Sequence, residues 1–231
     1  MVGLTRRTAI GAAIFVAGSM LGTTAEAAPA RGLRPAPART HELRAPEAPL
    51  TARLSRGERE ALLAGGSVER PLVFERSASR YVGGVAYQLV RASPEEVLAT
   101  LQSIESLPQA LPRTKRAKLV AAEGRYARVE LVQGTSMVDA TYTVHLLRDP
   151  KRDELKFWLD RGRPHDIADV WGYFRVQRFD RERSLITVAV ALDVGPGLVR
   201  MLFEDKIQRL ILATPRHIKD FVEPRRLAQA P

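Results

Sequence analysis

The chain has 231 residues, 45% of them hydrophobic, which suffices for one domain of ordinary size with additional segments. It contains no cysteine, so disulfides, thiolate nucleophiles, zinc ribbons, iron–sulfur clusters and an acylated-cysteine anchor are excluded. The formal net charge of +10 favours contact with anionic surfaces such as phospholipid headgroups, nucleic acid or polyanionic glycans.

The N-terminal residues have the three parts of a secretory signal peptide. The Arg6-Arg7 pair is followed by an apolar stretch from Ala9 to Leu21 and by the small-x-small cleavage site Ala25-Glu26-Ala27. This stretch is shorter than the about 20 apolar residues that a membrane-spanning helix needs. Residues 1–27 are therefore predicted to be a cleaved signal peptide of a periplasmic or secreted protein, with an uncleaved anchor as the alternative. The arginine pair leaves the general secretory and twin-arginine routes both open.

Residues 28–54 form a segment rich in proline, alanine and arginine. It shows neither a helical nor a strand period, and it is too poor in large apolar side chains to offset the entropy of ordering. We predict a disordered linker. Its arginines allow contact with an anionic membrane surface, and the alternative is a solvated tether without a partner.

Folded structure is predicted to begin at Ser55, where Ser55-Arg56-Gly57-Glu58 is a capping box for a short helix that stops at Gly65-Gly66. Extended segments follow over 68–74 and 81–90. Ser93-Pro94-Glu95-Glu96 then combines a capping serine, a proline in the first helical turn and a glutamate that reaches back to the cap, so it predicts a second helix.

A short helix over 104–110 precedes a run of segments with alternating apolar and polar residues. These predict hairpin-linked strands near residues 118–122, 126–133, 136–147, 155–159, 170–178 and 185–193. The alternation places one face of the sheet in water and one face in a core.

A long amphipathic helix is predicted from Leu198, after Gly195-Pro196-Gly197, with a kink near Pro215. Pro224 is expected to end it, leaving residues 225–231 as a tail. An antiparallel sheet with one apolar face needs a cover, and this helix is the only predicted element long enough. The fold class is therefore predicted to be α+β, with a curved antiparallel sheet wrapped around a long C-terminal helix.

The order of these elements, together with three stretches, resembles the START-like or SRPBCC superfamily. The stretches are residues 85–97, a strand followed by the Ser-Pro-Glu-Glu helix start, residues 172–176 with 186–188, and the closing Gly-Pro-Gly with its helix. The resemblance covers residues 81–222 of a domain predicted over 55–224. It extends to polyketide cyclase/dehydrase and lipid transport proteins and to coenzyme-Q-binding-like proteins, and it implies a helix-grip fold.

The resemblance also implies an apolar ligand cavity between the sheet and the C-terminal helix. The predicted lining consists of Tyr87, Leu131, Val138, Tyr142, Phe157, Phe174, Val188, Val190, Phe203, Ile207 and Leu210. Tyr87 and Tyr142 would supply polar groups that orient the ligand. The predicted function is an exported protein that holds a lipid, quinone or polyketide-like molecule. A cyclase- or dehydratase-like enzyme, a basic module on anionic lipid, and a filled core without a ligand remain alternatives.

Other candidate sites in the sequence are weaker. The loop residues Arg161, Arg163, His165, Asp166 and Asp169 are candidates for a cavity rim that contacts a polar headgroup, with His165 and the aspartates as an acid–base grouping. Trp158 and Trp171 are predicted to face outward. The four histidines lie at no metal-ligand spacing, and glycine-rich phosphate loops and a Gly-x-Ser-x-Gly elbow are absent. No metal or cofactor is therefore predicted, and export disfavours nucleic acid as a partner.

Overall fold

The structure is a computed structural model of the chain, and it describes residues 54–77, 79–135 and 138–229. The predicted signal peptide and nearly all of the predicted linker lie outside these residues. The described elements are, in chain order, α1 (Arg56–Leu63), β1 (Ser67–Arg76), β2 (Ser79–Val90), α2 (Pro94–Gln102), α3 (Leu107–Ala110), β3 (Thr114–Glu123), β4 (Tyr126–Gly134), β5 (Asp139–Asp149), β6 (Glu154–Leu159), β7 (Asp169–Arg178), β8 (Ser184–Asp193), α4 (Leu198–Leu212) and α5 (Thr214–Gln229).

Both predicted capping boxes are confirmed. At the start of α1, the Ser55 hydroxyl accepts from the Glu58 amide at 3.3 Å, and the Glu58 carboxylate accepts from the Ser55 amide at 2.7 Å. Ser93 and Glu96 form the same pair of bonds at the start of α2, at 3.2 and 2.6 Å. Two of the otherwise unpaired amides of each helix are thereby satisfied, which fixes where the helix begins.

The eight described strands form one antiparallel, curved sheet in the order β1-β2-β8-β7-β6-β5-β4-β3. All neighbours from β3 to β8 are joined by consecutive hairpins, and β1 pairs with β2. The single long connection carries the chain from β2, through α2 and α3, to β3 at the far edge. The predicted α+β architecture is confirmed.

The predicted kink in the C-terminal helix is a complete break. Helix α4 ends at Leu212 and α5 begins at Thr214, because Pro215 has no amide to continue the α4 ladder but is well suited to a first helical turn. Pro224 does not end the helix as predicted. Helix α5 continues through it to Gln229, so most of the predicted tail over 225–231 is helical. Arg225 helps to hold this last turn, with its guanidinium 3.8 Å from the centre of the Phe221 ring.

The larger apolar core lies on the concave face of the sheet. Alternate residues of the strands pack there with α2, α3 and α5, and the cluster includes Val90, Val97, Val129, Val176, Ile186 and Ile218, all completely buried. The opposite, convex face carries a second core beneath α1. There Leu62 packs with Val68, Val85, Tyr87, Leu89, Tyr173 and Ala189. The sheet is therefore covered on part of both faces.

Hydrogen bonds from helix α4 reach the first two strands near a pair of glycines in β2. The Gln208 side chain donates to the carbonyls of Leu72 and Gly83, at 3.2 and 3.0 Å. Gly83 and Gly84 have φ values of 153° and 141°, a region that other residues rarely adopt. A Cβ on Gly84 would lie 2.2 Å from the carbonyl oxygen of Arg70.

Replacing Gly84 with alanine should therefore destabilise the fold. We expect G84A to lower the free energy of unfolding by more than about 2 kcal/mol, because the added methyl group meets backbone that cannot move away cheaply. Gly57 lies in the first turn of α1, and no atom lies within 4 Å of the position that an added methyl group would take, so G57A should change stability by at most about 1 kcal/mol. Urea unfolding followed by circular dichroism measures both, and equal effects of the two substitutions would contradict this account.

Candidate functional site

A cavity of about 390 Å³ lies between the concave face of the sheet and helix α4. Side chains from α2, α3, β4 to β8, α4 and the start of α5 line it. Most of these side chains are apolar, and they include Leu101, Leu107, Val129, Ala140, Val144, Leu146, Leu155, Ile167, Val170 and Leu192. A concave, mostly apolar enclosure of this kind suits an apolar small molecule.

Most of the predicted lining residues do surround this cavity. Those in place are Leu131, Val138, Tyr142, Phe157, Phe174, Val190, Phe203, Ile207 and Leu210. They share the concave face because side chains two positions apart along a strand point to the same side of a sheet. The same alternation identifies Ala140, Val144 and Leu146 of β5, which the predicted lining omitted.

Tyr87 and Val188 lie outside the cavity lining. Tyr87 points to the convex face, where it packs in the core beneath α1, so the prediction that it orients a ligand is wrong. The sequence alternation of β2 puts Tyr87 on one face with Val85 and Leu89, but alternation does not say which face of the sheet meets which helix. Val188 does face the concave side, yet it is 1% exposed within the packed core that also contains Ile218 of α5.

A short chain of hydrogen bonds lies inside the cavity, and no pattern in the sequence signals it. The Tyr142 hydroxyl donates to the side-chain carbonyl of Gln133, and the Gln133 amide donates to the Thr114 hydroxyl at 2.7 Å. Tyr142 and Gln133 line the cavity, and Thr114 is buried behind them. These partners come from β5, β4 and β3, so only strand pairing brings them together. The chain of bonds gives one end of the apolar cavity a fixed polar surface.

Burial holds the Tyr142 phenol in its neutral form, because it raises the pKa of that group well above its ordinary value. Tyr142 therefore acts as a hydrogen-bond donor at neutral pH and not as a base. Burial, followed by a hydrogen bond to Asp169, also raises the pKa of Tyr81 to about 12. The pKa of Tyr87 and that of Tyr126 are raised in the same direction, again chiefly by burial.

Of the predicted rim residues, Asp166 alone contributes to the cavity lining. Its carboxylate accepts from the Thr141 amide at 2.8 Å, while its own amide donates to the Thr141 carbonyl at 3.0 Å. His165 has its Nδ1 within 2.7 Å of the Ile167 carbonyl. Asp166 is therefore already engaged in holding the loop against β5.

The remaining rim residues are engaged in contacts outside the lining. Arg161 donates to the Asp169 carboxylate at 2.7 Å, and the same carboxylate accepts from the Tyr81 hydroxyl at 2.8 Å. Arg163 donates to the Thr143 hydroxyl at 3.2 Å. The acid–base grouping that the sequence suggested for His165 and the two aspartates is not assembled.

The two tryptophans lie on the convex side of the sheet, as their alternation predicts. Trp158 stacks on His145 with ring centres 5.1 Å apart. The ring centre of Trp171 lies 6.2 Å from that of Tyr81, in a T-shaped arrangement, and 6.4 Å from that of Phe74, whose ring is tilted against it. Both rings thus pack against neighbouring aromatic side chains on strands of the same sheet.

Four of the lining residues in the described part of the chain are charged: Arg113, Asp139, Asp166 and Lys206. Asp139 is 2.6 Å from the Lys115 amine, so its charge is already paired. No group of three or more histidine or acidic side chains suited to a metal ion occurs among residues 54–77, 79–135 and 138–229. Within the same residues, no helix combines the length and hydropathy needed to cross a membrane.

Comparisons of sequence find no relative. No model of a known protein family matches the chain, and no curated protein matches it either. The fold, by contrast, has many solved counterparts.

Three solved structures share the arrangement of the sheet and helices. Protein TTHA0849 from Thermus thermophilus is 18% identical, with a TM-score of 0.54, over 64% of this chain and 98% of that one. A STAR-related lipid transfer protein fragment from Xanthomonas axonopodis is 12% identical, with a TM-score of 0.53, over 74% and 96%. The chain has the START-like helix-grip fold. The Zhui aromatase/cyclase from Streptomyces sp. R1128 is 15% identical, with a TM-score of 0.50, over 71% and 98%.

The buried phenols give the START-like domain a characteristic response to alkali. A phenol whose pKa is higher in the folded than in the unfolded protein contributes stability that is complete below the unfolded value of about 10. That contribution is lost as the pH rises from there towards the folded pKa. The free energy of unfolding should therefore fall steeply above about pH 10.

The variant Y142F tests which phenol dominates this response. At neutral pH it should be about 1 kcal/mol less stable, because Gln133 loses its donor, but its stability should fall less between about pH 9 and about pH 11. Urea unfolding across this range, with ultraviolet titration of the phenols, measures both effects. Identical pH slopes in Y142F and the wild type would contradict the assignment to Tyr142.

Proposed function

We propose that this START-like domain is a binding protein that holds one small apolar molecule between the concave face of the sheet and helix α4. The observation that carries the proposal is the cavity itself, which is enclosed mainly by apolar side chains and has one fixed polar surface at Gln133 and Tyr142. A surface of this kind orients a ligand, while the apolar walls supply the favourable burial.

The size of the cavity narrows the class of ligand. A volume of about 390 Å³ lies near the lower end of the about 300–1,000 Å³ typical of small-molecule sites. It suits a single acyl chain or a compound of a few rings better than a lipid with two acyl chains. A lipid fragment, quinone or polyketide-like molecule of that size fits the proposal.

The polar groups of the cavity favour binding over chemistry. Tyr142 is held neutral, and Asp166 is already bonded to the backbone of β5. A cyclase- or dehydratase-like reaction would need a base that can take a proton from the substrate. The alternative of such an enzyme rests on the Tyr142 hydroxyl, a buried group in the lining that could donate a proton to an apolar substrate.

The site of action proposed for this protein is the periplasm or the cell exterior, on the strength of the signal-peptide pattern in residues 1–27. Contact between the arginine-rich residues 28–54 and an anionic membrane stays a prediction of the sequence. Such contact would place a carrier close to a source of apolar molecules.

The test is native mass spectrometry of the protein purified from its own cell compartment, followed by organic extraction. We expect a reproducible added mass that extracts as one class of apolar compound. The variant A140F should reduce that loading at least about tenfold. Ala140 lines the cavity next to Gln133, its partner on the neighbouring strand, and the larger ring would occupy the space of the ligand.

The matched control is A122F, on an exposed position of β3 outside the lining. It adds the same ring to the same sheet and should leave loading unchanged. Thermal melting of both variants shows that each is folded. A bare protein mass in the wild type, with no uptake from a lipid extract, would overturn the proposal. Conversion of the extracted compound on incubation would instead establish the enzyme.

A further inference from the structure

The cavity has two cations in its lining that lack an ionic partner. Arg113 lies in the turn before β3, and Lys206 lies on α4, so they approach the same cavity from the sheet and from the helix. Neither forms an ion pair within the described part of the chain. Both residues are exposed, as expected where a cavity opens to solvent.

The two carboxylates of the lining are, in contrast, already committed. Asp139 is paired with Lys115, and Asp166 accepts from the Thr141 amide. Among the described residues, two positive charges and one negative charge of the lining therefore have no ionic partner, which leaves a net positive charge. An anionic group placed beside Arg113 and Lys206 would gain charge-assisted hydrogen bonds without displacing an existing ion pair.

The backbone at Arg113 supports a role for this side chain. Its φ of 57° lies in the left-handed region, which glycine or asparagine adopts at lower cost. The Gly134 amide donates to the Arg113 carbonyl at 3.0 Å and so fixes the turn to the end of β4. The turn therefore holds Arg113, in a backbone conformation that costs free energy, beside the cavity that its residue lines.

Arg113 also lies at the polar end of the cavity. Thr114, the next residue, accepts the hydrogen bond from Gln133, and Gln133 in turn bonds Tyr142. The apolar lining from β6 and β7 lies three and four strands further across the sheet. The cavity is thus polar at the β3 edge, where Arg113 lies, and apolar towards β6 and β7, while Lys206 reaches the cavity from α4.

We propose that the ligand is an amphiphile with an anionic headgroup, such as a carboxylate or phosphate monoester, on a single apolar body. The headgroup contacts Arg113 and Lys206, and the apolar body extends across the sheet towards Leu155 and Phe174. This inference rests on the proposed binding function and specifies the chemistry of its ligand.

The inference is tested by comparing ligands that differ only in the headgroup. Isothermal titration calorimetry of the wild type measures binding of dodecanoate, dodecyl phosphate, dodecanol and dodecylammonium. We expect dodecanoate or dodecyl phosphate to bind about tenfold more tightly than dodecanol, with the difference shrinking as salt is added. The order of the two anions then identifies the headgroup that the site prefers.

The double variant R113Q/K206Q should remove this preference, so that dodecanoate and dodecyl phosphate bind no more tightly than dodecanol does. The control R125Q/R209Q removes two exposed arginines outside the lining, so it changes the net charge equally. It should keep the full preference. Thermal melting of both double variants shows that each is folded.

Four results would overturn the inference. The first is equal binding of dodecanoate, dodecyl phosphate and dodecanol by the wild type, which would leave the proposed apolar binding function standing. The second is a loss of preference in the control as large as in R113Q/K206Q, which would assign the effect to overall charge. The third is tightest binding of dodecylammonium, which would point to Asp166. The fourth is no binding of any of the four ligands, in which case native mass spectrometry decides the proposed binding function separately.

Discussion

The break between the two C-terminal helices determines how the concave face is covered. The sheet offers one continuous apolar surface, but α5 packs tightly upon it, with Ile218 and Val222 buried. The apolar residues Phe203, Ile207 and Leu210 of α4 are only half-buried, although they face the same surface. Because Pro215 interrupts the backbone hydrogen bonds between the two helices, α5 packs directly on the sheet and α4 covers the cavity. The side chains around the space beneath α4 therefore lack van der Waals contacts that a ligand there would supply.

Most of the polar side chains around that space have a hydrogen-bond or ion-pair partner. Gln133, Thr114 and Tyr142 satisfy one another, and the lining carboxylates have partners on β3 and β5. A buried polar group without a partner would destabilise the domain, so this closure allows polar atoms inside an apolar enclosure. Arg113 and Lys206 are the exception, since both line the cavity, are exposed, and form no ion pair with a described residue.

Strand β5, with the residue before it, shows how far sequence reasoning reaches. Its alternation placed Val138, Ala140, Tyr142, Val144 and Leu146 on one face, and all of them line the cavity. The period of two is a local property of an extended backbone, so it can be read without knowledge of the fold. The same reading of β2 grouped Val85, Tyr87 and Leu89 correctly but assigned them to the wrong side. The side depends on α1, which covers the convex face of a strand paired with both β1 and β8.

The amino-acid sequence by itself determined the order of the elements, the two capped helices, the break near Pro215 and the residues that share a face of each strand. These follow from interactions within a few residues, namely capping bonds, proline sterics and side-chain alternation. Only the tertiary structure decided which face encloses the cavity, which apolar residues stay half-buried, and that Arg113, Gln133, Tyr142 and Lys206 surround one space. Those residues lie on different elements, and long-range strand pairing and helix packing bring them together.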